Sequence, residues 1–245
     1  MTSTPPPAPG AGAGERRAAL GCGCGALVAG ALALVMALAW FGYRKGEGFR
    51  ESLRDPESRA AASREVLGYR ELPAGYHPMG GFSIPFVMEM AMLSDREPAP
   101  GEEIEGPEQA FGRRGFVFLV TRTSGRQEAE LRAYFRGERE QAQFYQEIDR
   151  RFTGGEVVGR GRLSAGGAEE VLYVAERGRM ELGDGPAPTV LARLLVECPE
   201  GSRLRAAMWF EPAPPAVGGG GESHRGTPAD PAALQRFLDH FRLCD

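Results

Sequence analysis

The sequence predicts an α+β protein: an N-terminal transmembrane helix followed by an antiparallel sheet with helices packed on it. Two observations carry this. An uncharged run from Ala18 to Tyr43 would make a helix of about 39 Å, longer than the ~30 Å hydrocarbon core of a bilayer. The remaining chain reads strands, helices, strands, helix, an order that segregates the two element types around one sheet.

The membrane run is preceded by Arg16 and Arg17 and ends at Trp40 and Tyr43, residues suited to the headgroup belt. Arg44, Lys45, Arg50, Arg54 and Arg59 follow it. By lysine and arginine count alone the C-terminal side would face the cytoplasm. The short N-terminal tail and the cysteine usage favour export instead. A signal peptide is the alternative, with Ala37-Leu38-Ala39 as its cleavage site. Both readings export the domain. Gly21, Gly25, Ala29, Ala33 and Ala37 share one helix face, the small-residue stripe through which membrane helices self-associate.

Four segments follow from this: a disordered tail over 1–17, a transmembrane helix over 18–43, a juxtamembrane linker over 44–64 and an α+β extracytoplasmic domain over 65–245. The tail is rich in Pro, Gly and Ala. The linker is charged, contains Pro56 and reads as partly helical. The domain is long enough for a sizeable core.

Within the domain, Phe82, Ile84, Phe86, Met88, Met90 and Met92 share one parity, predicting one long strand or two short ones with that face in the core. Pro85 marks an edge or a break. Gly115 to Arg122 reads as a buried strand. Gln127 to Arg136 and Glu138 to Phe152 read as helices parted at Gly137, with Leu131, Tyr134, Phe135, Phe144, Ile148 and Phe152 as the buried stripe. Glu156 to Leu163 and Glu169 to Glu176 flank Ser164-Ala-Gly-Gly, a hairpin signal. Arg179 to Leu182 is a short strand. Thr189 to Cys198 and Arg203 to Phe210 flank Pro199-Glu-Gly-Ser, a second hairpin. A Gly-rich loop leads to Asp230, an N-cap with Pro231 behind it, and a last helix running to about Leu243.

Cys198 ends a predicted strand and Cys244 is the penultimate residue. In an exported domain they are the disulfide candidates, and a bridge would tie down the last helix. Two buried thiols are the alternative. Cys22 and Cys24 belong to the membrane segment.

The order of elements resembles Mog1/PsbP-like sandwiches in architecture. The chain also resembles the uncharacterised single-pass membrane-anchored proteins of GC-rich, myxobacteria-like bacteria. That likeness rests on Gly-Cys-Gly-Cys before the apolar run, Leu72-Pro-Ala-Gly-Tyr76 and the Cys198 and Cys244 endings. It implies a bacterial inner-membrane location and no particular activity.

Composition removes several function classes. Lys45 is the only lysine, so the domain lacks a P-loop or Schiff-base lysine. Arginine alternates with glutamate and the net charge is −4, which excludes a nucleic-acid stripe. The segment around Ser164 lacks the first Gly of a nucleophile elbow. Gly159-Arg-Gly161 falls in a hairpin rather than at a βα turn. His77, His224 and His240 share no metal-ligand spacing. Asp95, Glu97, Glu102, Glu103 and Glu105 lack the pattern of a calcium loop.

No catalytic residue, cofactor or metal is therefore expected. The expected function is a membrane-anchored binding or structural domain whose partners are the membrane, an envelope protein or a second copy. One alternative is an exported enzyme with a scattered carboxylate site. Another is a Cu(I)-binding envelope protein using Met88, Met90 and Met92, with Met79 and His77 just upstream, since thioethers suit that soft ion.

Overall fold

The computed structural model describes residues 55–84, 86–99, 102, 107–148, 150–182, 185–199, 203–215 and 224–244. The expected tail, membrane helix and first half of the linker lie outside these residues. Among the described residues no helix is long and apolar enough to cross a membrane.

Seven strands form one antiparallel sheet: β1 His77–Ile84, β2 Met88–Ser94, β3 Gly115–Thr121, β4 Phe152–Leu163, β5 Glu170–Leu182, β6 Gly185–Glu197 and β7 Leu204–Pro212. The spatial order is β1-β2-β3-β7-β6-β5-β4. Two meanders, β1 to β3 and β4 to β7, therefore join side by side through β3 and β7. The helices are α1 Pro56–Leu67, α2 Pro107–Ala110, α3 Gly125–Phe135, α4 Gln143–Ile148 and α5 Pro231–Leu238.

One row of residues crosses the entire sheet: Gly81, Ala91, Phe118, Ala207, Leu194, Tyr173 and Gly161. Its two rings, Phe118 and Tyr173, each stand between smaller neighbours, and its two edge strands contribute glycines. A Cβ on Gly81 would lie 2.9 Å from the backbone of Ala62 in α1, and one on Gly161 would lie 3.0 Å from the Tyr173 ring. This face carries α1 and α5. The indole of Trp209 stacks on Phe237 of α5 at 4.3 Å, and Phe116 stacks on Phe241 at 5.1 Å. The opposite face carries α3 and α4, where Leu131, Tyr134, Phe135, Ala142 and Tyr145 bury Val174, Leu195, Leu204 and Ala206.

Local signals set the helix ends. Ser124 and Gln127 form a reciprocal capping box at the start of α3. Asp230 accepts from the Ala232 amide and Pro231 follows it at the start of α5. Cys198 and Cys244 are bridged, with Cα atoms 5.5 Å apart.

Three expectations need correction, and within the expected linker the described residues carry a helix: α1 is capped by Asp55 and Gly68, and its buried face is Arg59, Ser63 and Leu67. Only one of those three is apolar, so the residues read as a charged linker. The parity expected in the core of β1 and β2 is the half-buried one. Ala91 and Leu93 are fully buried, Met88, Met90 and Met92 only partly, and Phe86 is 76% exposed in the turn between the strands. A register shift between Pro78 and Gly80 changes the facing of β1. The second predicted helix shrinks to Gln143–Ile148, and Phe152 opens β4. The last helix stops at Leu238 rather than near Leu243. Beyond it the Arg242 amide donates to Leu67 and the Leu243 amide to Gly166, so these groups leave the helical ladder to hold neighbouring segments.

The bridge spans 46 residues, a loop whose closure stabilises by about 4 kcal/mol on the chain-entropy account. Reduction should therefore lower Tm by about 10 °C for a domain of this size, measured by calorimetry with and without reductant. An unchanged Tm would show that α5 is held by packing alone.

Burial raises the Glu211 carboxyl above its usual 4.5. Tyr76 donates to it at 3.0 Å and itself accepts from the Trp209 indole at 2.7 Å. The folded state thus binds this proton more tightly than the unfolded state. The associated stability is present below pH 4.5 and is lost as pH rises through the higher folded-state pKa. Glu211→Gln should flatten that loss, gaining stability over the native chain at pH 7 but not at pH 4. Parallel urea melts at the two pH values would check this.

Candidate functional cleft

On the α3 and α4 face, the sheet leaves an open cleft of about 600 Å³. Its floor comes from three adjacent strands. Arg160, Val174 and Arg193 form one cross-strand row, and Val157, Glu176 and Leu191 the next. Its far wall is the segment after α3, from Gly137 to Ala142, with Tyr145 of α4.

The floor is a polar network. Arg193 Nη1 lies 2.7 Å from Glu176 Oε2, with both side chains about nine-tenths buried. The Tyr134 hydroxyl donates to Glu176 Oε1 at 2.9 Å. Burial pushes the Tyr134 phenol well above its ordinary value, against the pull of Arg193, so it remains a donor across the physiological range. The Arg193 guanidinium also lies over the rings of Tyr145 and Phe152, at 5.8 and 5.6 Å. Tyr145 is fixed by donating to the Leu194 carbonyl at 2.6 Å. Both carboxylate oxygens of Glu176 are thus engaged.

Gly155 makes this closeness possible. A Cβ there would collide with Glu176 Oε2 and lie 2.8 Å from the Phe152 ring. Gly154 and Gly155 sit where β4 slips register between Thr153 and Glu156, a bulge that lifts bare backbone towards the cleft. Arg160 on the same strand donates through Nη1 to the carbonyls of Tyr134 and Phe135, at 2.6 and 3.3 Å. These are terminal carbonyls of α3, which welcome a cation.

The residues singled out from sequence do not converge here. Cys198 and Cys244 close the opposite face. His77 opens β1, His224 accepts from Thr227 in the loop before α5, and His240 follows α5. Asp95 accepts from the Arg114 amide and Glu102 pairs with Arg96; Glu103 and Glu105 lie outside the described residues. Among the described residues no group of three His, Cys, Asp or Glu could hold a metal. Met92 packs with Met79, Ala110 and Phe111, a hydrophobic use of two of the thioethers. The cleft residues come from sites between 134 and 193 with no shared motif, and the Gly154-Gly155 pair, inside β4, was the one local signal that could have pointed to them.

No family model matches this chain. No curated protein matches it either.

Tyr134→Phe removes a hydrogen bond to a charged acceptor, and should cost about 1.5–3 kcal/mol. A lower midpoint in urea with an unchanged slope is the expected result. Loss of less than about 0.5 kcal/mol would mean that the floor is not held by this contact.

Proposed function

We propose that the chain is a single-pass, membrane-tethered binding domain that works outside the cytoplasm and performs no catalysis. The observation that carries the reading is the cleft whose only buried carboxylate among the described residues, Glu176, is fully engaged by Arg193 and Tyr134. A hydrolytic pair needs one carboxyl free to exchange a proton. The floor is instead fixed and hydrogen-bonded, the property of a pre-organised receptor.

The apolar run from Ala18 to Tyr43 supplies the tether in this reading. The Cys198–Cys244 bridge supports an oxidising compartment. The resemblance to anchored envelope proteins of GC-rich bacteria points the same way, with the inner membrane as the location.

Alkaline phosphatase fused after Asp245 tests the topology, because it folds only where disulfides form. Active phosphatase is expected in cells expressing the fusion. Inactive phosphatase, together with an active cytoplasmic reporter at the same point, would place the domain inside and remove the reading.

A further inference from the structure

We propose that the cleft takes a small organic oxyanion, a molecule with a phosphate or carboxylate head, held by Arg150 and Arg160 above the Gly154-Gly155 bulge. This rests on the binding-domain reading and adds the chemistry of the ligand.

The sign of the charge comes first. Arg139, Arg150, Arg160 and Arg193 line the cleft against Glu140 and Glu176. Not all of these are available. Arg193 and Glu176 neutralise each other at 2.7 Å. Arg139 leans on Glu130 at 3.8 Å. Among the described residues Arg150, exposed at the mouth, has no ion pair or hydrogen bond. Arg160 uses Nη1 on two carbonyls, which leaves its Nε and Nη2 hydrogens to point elsewhere. Among the described residues the available charge is thus two guanidinium groups, opposed by the exposed Glu140 at the rim.

Arg160 is also pre-organised. Its guanidinium is anchored on the end of α3 and lies over the Tyr134 ring at 5.8 Å. Gly137, at φ +81°, leaves room for it: a Cβ there would stand 2.7 Å from Nη1. A fixed guanidinium presents its planar fork to an oxyanion with little ordering cost. The Gly154-Gly155 bulge leaves no side chain between a ligand and the strand, which allows close approach to the backbone. Val157, about half exposed on the same wall, offers apolar contact to the body of the ligand.

The test is calorimetric titration of the full chain in neutral detergent micelles. The probes are sodium phosphate, sodium benzoate, neutral benzamide and cationic putrescine. Saturable binding of phosphate or benzoate is expected, weakening as sodium chloride is raised. The two anions distinguish a phosphate head from a carboxylate head. Arg160→Gln should weaken binding about tenfold, Arg150→Gln by less, and Glu140→Gln should tighten it. Arg160 also caps α3, so far-ultraviolet circular dichroism must show that its variant is folded; Arg150 and Glu140 have no such structural role and decide the matter if it is not. Binding of an anion that ignores all three substitutions would overturn the proposal. So would saturable binding of benzamide or putrescine with neither anion bound, although the cleft would then remain a binding site. A cleft that takes none of the four probes would remove the anion assignment and the binding reading together.

Discussion

The two central strands are buried on both faces, and the rest of the domain answers to that. Every residue of β6 from Thr189 to Val196 is buried, including Thr189 and Arg193, and β7 is buried over most of its length. A strand with apolar groups on both sides needs a layer on each. The chain provides these layers with two separate pieces. The connection from β3 to β4 crosses one face as α3 and α4, and the two ends of the domain, α1 and α5, cover the other. Gly81 of the transverse row marks where α1 comes closest to the sheet.

The α5 layer shows how packing and covalent chemistry divide the work. Trp209 and Phe237 supply the flat contact, and Tyr76 and Glu211 satisfy the indole beneath it. A helix of eight residues would not persist alone. The chain after it is therefore held by amides donated to Leu67 and Gly166, and finally by the bridge to Cys198. The same contacts recruit α1, whose Leu67 carbonyl accepts from Arg242.

On the other face the layer is incomplete, and the cleft is what remains. Here a charged pair replaces apolar packing. An Arg–Glu pair at such burial contributes little net stability over a hydrophobic pair of similar size, because desolvation offsets the attraction. Its contribution is geometric: Tyr134, Glu176, Arg193 and the rings of Tyr145 and Phe152 hold one another in place. Such a floor resists movement, the property on which the proposed binding role rests.

By itself the sequence determined the elements whose signals are local. The α+β class, the two hairpins around Ser164 and Pro199, the capped start of α5 and the pairing candidates Cys198 and Cys244 are all readable from spacing, turn residues and caps. Three things were decided only by tertiary structure. The packing of α1 on the sheet was not legible in a segment read as a partly helical linker, because its buried face is Arg59, Ser63 and Leu67, which no hydrophobic period reveals. The methionine parity of β2 looked like core because it is uniformly apolar, yet the helices α1 and α5 cover the other side and bury Ala91 and Leu93 instead. The cleft was invisible because Gly155, Arg160, Glu176 and Arg193 meet through strand register across β4, β5 and β6. Periodicity reports which residues could share a face. It cannot say which face receives a helix, because that depends on where the chain returns.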